Sequence, residues 1–109
     1  MSLNAPKPIT DYYEAKNRHD IDAMLAPFAV EAAVKDEGET YVGHAAIRTW
    51  MEETTRKYSV TVEPETIDDE DGERQVVRAL VSGNFPGSPA RLTYRFILRS
   101  DKIIGLEIG

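Results

Sequence analysis

The sequence predicts an α+β fold in which N-terminal helices and one long helix pack on a strongly curved antiparallel sheet. Three observations carry this expectation. Apolar residues recur at helical spacing only up to about Tyr58, and from Ser59 onward they alternate with a period of two. Short turn sequences, Asp71-Gly72, Pro86-Gly87-Ser88-Pro89 and Ser100-Asp101, then cut the alternating part into hairpin-length pieces. Helices segregated from consecutively paired strands bury their apolar faces best as a helical layer on one sheet face.

The elements follow in order. Pro6 and Pro8 keep residues 1–8 as an extended or disordered tail, and Asp11 with Glu14 forms a capping box that starts a short helix reaching about Lys16. Asp20 caps a second helix on which Ile21, Met24, Leu25 and Phe28 share a face, limited by Pro27. Residues 29–37 read as a strand ending at Gly38, and Tyr41-Val42-Gly43 leads into the longest helix. There Ile47, Trp50, Met51, Thr54 and Tyr58 lie on one face, and Glu52, Glu53, Arg56 and Lys57 on the other. Strands then follow, with Val60 and Val62, Val77 to Phe85, Leu92 to Leu98, and Ile104, Leu106 and Ile108 as inward positions. Gly83, inside a strand, is expected to mark a bulge or bend that lets the sheet curl. On the outer face Val76, Leu80, Ile97 and Ile103 mix with Arg78, Arg91, Arg95 and Arg99, which fits either a subunit interface or a solvated face with scattered aliphatics.

With 109 residues, 41% of them hydrophobic and 29% charged, one domain spanning 1–109 with a modest core is expected. A net charge of −6 opposes nucleic acid and anionic membranes as partners, because both require clustered cations. The chain has no cysteine, so thiolate metal sites and disulfides are out of reach, and with no long apolar run a cytoplasmic protein is expected. Neither a cofactor nor a metal is expected. The acidic run from Glu63 to Glu73 lacks the register of a calcium loop and reads as a solvated hairpin tip, and the two histidines have no metal-ligand spacing. His19 is expected in an exposed turn, and His44 in a capping or supporting position at the start of the long helix.

Asp36 raises the functional question. In a strand it shares a face with Ala32 and Val34, so it is directed inward, although Asp-Glu-Gly-Glu is also ordinary turn chemistry. In an apolar pocket desolvation would raise its pKa and prepare it as a general base. Tyr94, between Leu92 and Phe96, should also face inward, with a hydroxyl that needs a partner or a ligand; of the neighbours Tyr12 and Tyr13 only one can point squarely at the core.

The turn Asn17-Arg18-His19-Asp20-Ile21-Asp22, the strand Ala32-Ala33-Val34-Lys35-Asp36, the helix start Gly43-His44-Ala45-Ala46-Ile47 and the order of elements resemble the NTF2-like superfamily, in its SnoaL-like and ketosteroid isomerase-like branch. That resemblance covers nearly the whole chain and implies a conical half-barrel with a pocket at its wide end, and a homodimer formed through the outer sheet face. It implies a small apolar organic ligand, with Phe28, Val34, Trp50, Phe96 and Leu106 as pocket positions. It also implies Asp36 as the base and Tyr12 as an oxyanion donor. Where ketosteroid isomerase uses a protonated aspartate as second donor, this chain has Tyr94, which puts steroid substrates in doubt. Epoxide hydrolases of the superfamily use an Asp-Arg-Asp constellation, and here Arg91, Arg95 and Arg99 alternate away from Tyr94. The activity so implied is cofactor-free isomerisation, cyclisation or dehydration; the alternative is a non-catalytic ligand-binding or dimerisation module.

Overall fold

The computed structural model describes residues 5–109. Among these residues three helices and six strands follow in the order α1 (Lys7–Asn17), α2 (Ile21–Leu25), β1 (Phe28–Asp36), β2 (Glu39–Val42), α3 (His44–Tyr58), β3 (Thr61–Asp69), β4 (Arg74–Ser82), β5 (Ala90–Arg99) and β6 (Lys102–Ile108). The strands form one sheet in the order β2-β1-β6-β5-β4-β3.

Helix α1 begins a turn earlier than the capping-box reading placed it. Pro6 occupies the N-cap and Pro8 the first turn, where a missing N–H costs nothing. Asp11 is not a cap but pairs with Lys7 at 2.9 Å in solvent. The extended tail expected for residues 1–8 therefore does not hold for Lys7 and Pro8, while residues 1–4 lie outside the described part. Asp20 caps α2 as expected, accepting a bond from Ala23 N. Phe28, expected on the face of that helix, is instead the first residue of β1, because Pro27 removes the donor a longer helix would need.

The sheet is mixed rather than antiparallel. β1 runs parallel to β6, with Val34 opposite Leu106, and the remaining neighbours are antiparallel. Two parallel strands require a long connection, and here it comprises everything from β2 to β5, a link that local periodicity does not reveal. β2 itself is an addition: Glu37 (φ 53°) and Gly38 (φ 79°) both take positive φ, so the chain turns back in a tight hairpin with Asp36 opposite Glu39.

Register shifts between β1 and β6, β3 and β4, and β5 and β6 increase the local twist that curls the sheet around α3. The shift beside Leu98 pairs it with Ile103, so Ile103 is fully buried and Ile104 is only half-buried, the reverse of strict alternation. The hairpin tip after β3 is solvated and held by its own acids, with Asp69 accepting from Gly72 N at 2.7 Å and Asp71 from Arg74 N at 2.9 Å. On the outer face Arg78 pairs with Asp68 and Arg91 with Glu65.

Gly83 marks a close approach of β4's end to the C-terminus of α3. A Cβ there would lie 2.7 Å from the Tyr58 carbonyl oxygen, the same oxygen that accepts a bond from Asn84 N at 2.7 Å. Gly83→Ala is expected to destabilise the fold by about 1–3 kcal/mol, as overpacking against backbone does. The check is a lower urea midpoint at unchanged m-value; an unaltered midpoint would mean that this junction yields freely.

Candidate functional site

The curl of the sheet leaves a cleft of about 490 Å³ beneath α3, and its walls include Lys16 of α1, Asp36 of β1, Trp50 of α3, Val81 of β4, and Leu92 and Tyr94 of β5. The lining is mostly aliphatic and aromatic, and few polar atoms converge in it, the usual make-up of a site for a small molecule.

Asp36 reaches the cleft because it ends β1 on the face shared by Ala32 and Val34, both fully buried. Its Oδ2 accepts a hydrogen bond from Trp50 Nε1 at 3.0 Å. Trp50 is fixed in turn by its burial in α3's inner face and by Tyr41, whose ring centroid lies 6.1 Å away. Burial raises the Asp36 pKa above the ordinary 3.8, the Trp50 bond and the Lys16 charge partly opposing it and the neighbouring Glu37 adding to it. Asp36 is thus a weaker acid than a surface aspartate and a correspondingly stronger base.

Tyr94 lines the same cleft at 2% exposure, and its hydroxyl makes no hydrogen bond to another described residue. Burial foremost, then the Asp36 charge, pushes its pKa up, so the phenol stays protonated and able to donate.

Tyr12 lies elsewhere. It is fully buried and outside the cleft lining, edge-on to Phe28 (5.6 Å) and Phe96 (5.9 Å), and its hydroxyl has no hydrogen-bond partner among the described residues. Tyr13 is buried as well, against Tyr94 and Phe96, so the expectation that only one of the two neighbours faces the core is corrected: the aromatic cluster is wide enough to cover both positions on α1. Phe28, Val34, Phe96 and Leu106 are core residues outside the cleft lining, whereas Trp50, Asp36 and Tyr94 are brought together in it.

Lys16 is a cleft residue that the sequence reading did not single out. It is 7% exposed, and its Nζ lies 5.8 Å from the centroid of the Tyr12 ring and 6.0 Å from that of Trp50. Burial lowers its pKa from 10.5 to about 8, with the Asp36 charge acting in the opposite direction. A signal was available: Lys16 follows Tyr12 by four residues, so a helix that buries the one turns the other to the same side.

Both histidines bind backbone. His44 Nε2 sits 2.9 Å from the Phe28 carbonyl oxygen and His19 Nε2 2.9 Å from that of Val60, so each Nε2 carries the proton and ties two elements together. Among the described residues no cluster of three or more histidine, cysteine, aspartate or glutamate side chains could hold a metal, and no helix is long and apolar enough to cross a membrane.

No curated protein matches the chain. Among solved structures, a candidate polyketide cyclase from Sinorhizobium meliloti is 39% identical, with a TM-score of 0.92 over 97% of this chain and 96% of that one. A Catenulispora acidiphila protein with a ketosteroid isomerase-like fold, solved in complex with trimethylamine, has a TM-score of 0.84 at 19% identity, over 97% of this chain and 86% of that one. The epoxide hydrolase/cyclase-like enzyme SalBIII, which takes part in pyran ring formation in the polyether salinomycin, has a TM-score of 0.79 at 21% identity, over 94% and 86% of the two chains. At those lower identities the likeness is one of fold: helices on a curved, unclosed sheet of the NTF2-like type. The model of the SnoaL-like domain matches residues 9–103, and the chain belongs to that family.

Proposed function

We propose that the protein binds a small apolar carbonyl compound in the cleft under α3 and moves a proton on it without a cofactor, in an isomerisation, cyclisation or dehydration. The observation that carries this reading is Asp36, a half-buried carboxylate at the wall of a mostly apolar cleft whose other charged lining residues are Lys16 and Glu37, with the free hydroxyl of Tyr94 in the same cleft. Asp36 takes a proton from the carbon next to the carbonyl group, and the Tyr94 hydroxyl donates to the oxygen on which charge develops. Tyr12, with its hydroxyl buried outside the cleft lining, supports the cleft from the core rather than touching the ligand. The cyclase-related neighbours support the same class of chemistry. A homodimer formed through the outer sheet face belongs to this reading, supported by Ile97, 37% exposed among arginines.

The second reading is a binding module without turnover. It is favoured by the Trp50 N–H, which holds the Asp36 carboxylate in place as a structural partner would.

Phenols imitate an enolate and test the first reading. A phenol is expected to raise the melting temperature of the wild type and to raise that of Asp36→Asn further, because removal of the carboxylate charge favours an anionic ligand. Tyr94→Phe should weaken the effect by about 0.5–1.5 kcal/mol of binding, the usual worth of one hydrogen bond. If phenols stabilise neither protein, the cleft is not built for an oxyanion.

A further inference from the structure

The proton-transfer reading leaves Lys16 unused. An amine on a long flexible stem is buried under α3, at the wall of a cleft large enough for a small organic molecule, and it forms neither an ion pair nor a hydrogen bond with another described residue. Two aromatic rings, Tyr12 and Trp50, confine it, and the Trp50 ring that borders Nζ is the one whose N–H holds Asp36. A nucleophile and a carboxylate thus flank a single indole at one mostly apolar cleft, which Glu37 and Thr54 also line. A structural lysine in such a position would be expected to reach a carboxylate or a backbone carbonyl, since a buried ammonium without a partner is costly.

We infer that Lys16 forms a covalent imine with an aldehyde or ketone bound in the cleft, and that Asp36 carries protons during its formation. The inference rests on the proposed carbonyl ligand and adds to it a bond to the protein. The Nζ lone pair attacks the carbonyl carbon, and the C=O electron pair moves onto oxygen. A proton from Nζ passes by way of Asp36 to that oxygen, giving a neutral carbinolamine. The remaining Nζ hydrogen passes to the Asp36 carboxylate, which delivers it to the hydroxyl as the C–O bond breaks, so both Nζ hydrogens leave with the oxygen as water and a C=N bond remains. The imine nitrogen then takes up one proton from solvent, and the Asp36 carboxylate is its counter-ion. The resulting iminium withdraws electrons from the neighbouring carbon more strongly than the parent carbonyl does, which makes the proton that Asp36 removes more acidic. Desolvation keeps a substantial fraction of the Lys16 amine neutral near pH 8, a condition an exposed lysine does not meet.

The test is reductive trapping. The protein is incubated with cyclohexanone or benzaldehyde, borohydride is added to reduce any imine to a secondary amine, and the modified residues are mapped by peptide mass spectrometry. The expected result is labelling of Lys16 on the order of tenfold or more over the exposed Lys35, Lys57 and Lys102. Lys16→Met should lose that adduct, and Asp36→Asn should form it more slowly. Labelling spread evenly over the exposed lysines, with Lys16 unmodified in the wild type, overturns the inference and needs no variant to be read. The proton-transfer reading fails or stands separately: if Lys16→Met still exchanges the ligand's carbon-bound protons and no adduct forms, the imine is refuted and the Asp36 base stands. If the adduct forms on Lys16 and no proton exchange occurs in any variant, the imine stands and the base assignment falls.

Discussion

Lys16→Met is expected to make the protein more stable at neutral pH, by about 1–3 kcal/mol, even though it removes a side chain from the candidate site. The folded state lowers the Lys16 pKa from 10.5 to about 8, so the folded protein binds fewer protons at this group than the unfolded chain does throughout that interval. Stability of the wild type should therefore rise with pH from about 8 toward 10.5, and below about 8 the full desolvation cost is present. A shift of that size, which already contains the opposing Asp36 attraction, corresponds to roughly 3 kcal/mol, from which lost attraction to the Tyr12 and Trp50 rings subtracts. The groups packed around Lys16 set the limits of the window. Asp36 attracts the Lys16 charge, while Tyr12, Tyr13 and Tyr94 have pKa values raised by burial, so as pH climbs past about 10 their reluctance to ionise in the folded state begins to work against stability. Urea midpoints from about pH 7 to about pH 9.5 should rise in the wild type and stay flat in Lys16→Met. A wild-type curve that is flat, together with a destabilised variant, would show that the amine is solvated or paired in solution.

Much of this architecture is legible in the sequence, for reasons that can be traced to particular residues. The long helix is plain because Ile47, Trp50 and Met51 keep helical spacing and α3 buries those three side chains. The inward direction of Asp36 follows from strand alternation, and the alternation holds because Val34 is fixed by the core one step before it. What local pattern does not carry is pairing between distant segments. The parallel union of β1 with β6 joins residues such as Val34 and Leu106 across most of the chain, and nothing near either of them encodes it. β2 is missed because it is short and its residues are mostly exposed, so it shows no alternation. The bulge that buries Ile103 is likewise invisible, since it depends on register against Leu98. At the site, Asp36, Trp50 and Tyr94 converge in the cleft, but the other expected pocket positions, Phe28, Val34, Phe96 and Leu106, belong to the core: an inward-facing side chain meets either ligand space or another side chain, and only the curvature of the sheet separates the two outcomes. Lys16 went unread because a lysine is ordinarily assigned to solvent.

Asp36→Asn is expected to abolish proton transfer while leaving the fold intact. Asparagine keeps the shape and can still accept the Trp50 hydrogen bond, and since burial disfavours the charged carboxylate, its neutral replacement should melt at the same temperature or higher. Loss of a general base lowers a rate by roughly 10²–10⁴-fold. In the wild type the rate should fall as pH drops through the Asp36 pKa, which lies above the ordinary 3.8 because of burial, with Glu37 raising it and Lys16 and Trp50 lowering it. The most direct test is the rate at which cyclohexanone dissolved in heavy water exchanges its α-hydrogens for deuterium, followed by NMR with wild-type protein and with Asp36→Asn and corrected for the protein-free reaction. Exchange that the wild type accelerates and Asp36→Asn does not would establish the cleft carboxylate as the proton carrier. Equal acceleration by both proteins, with both folded, would contradict it.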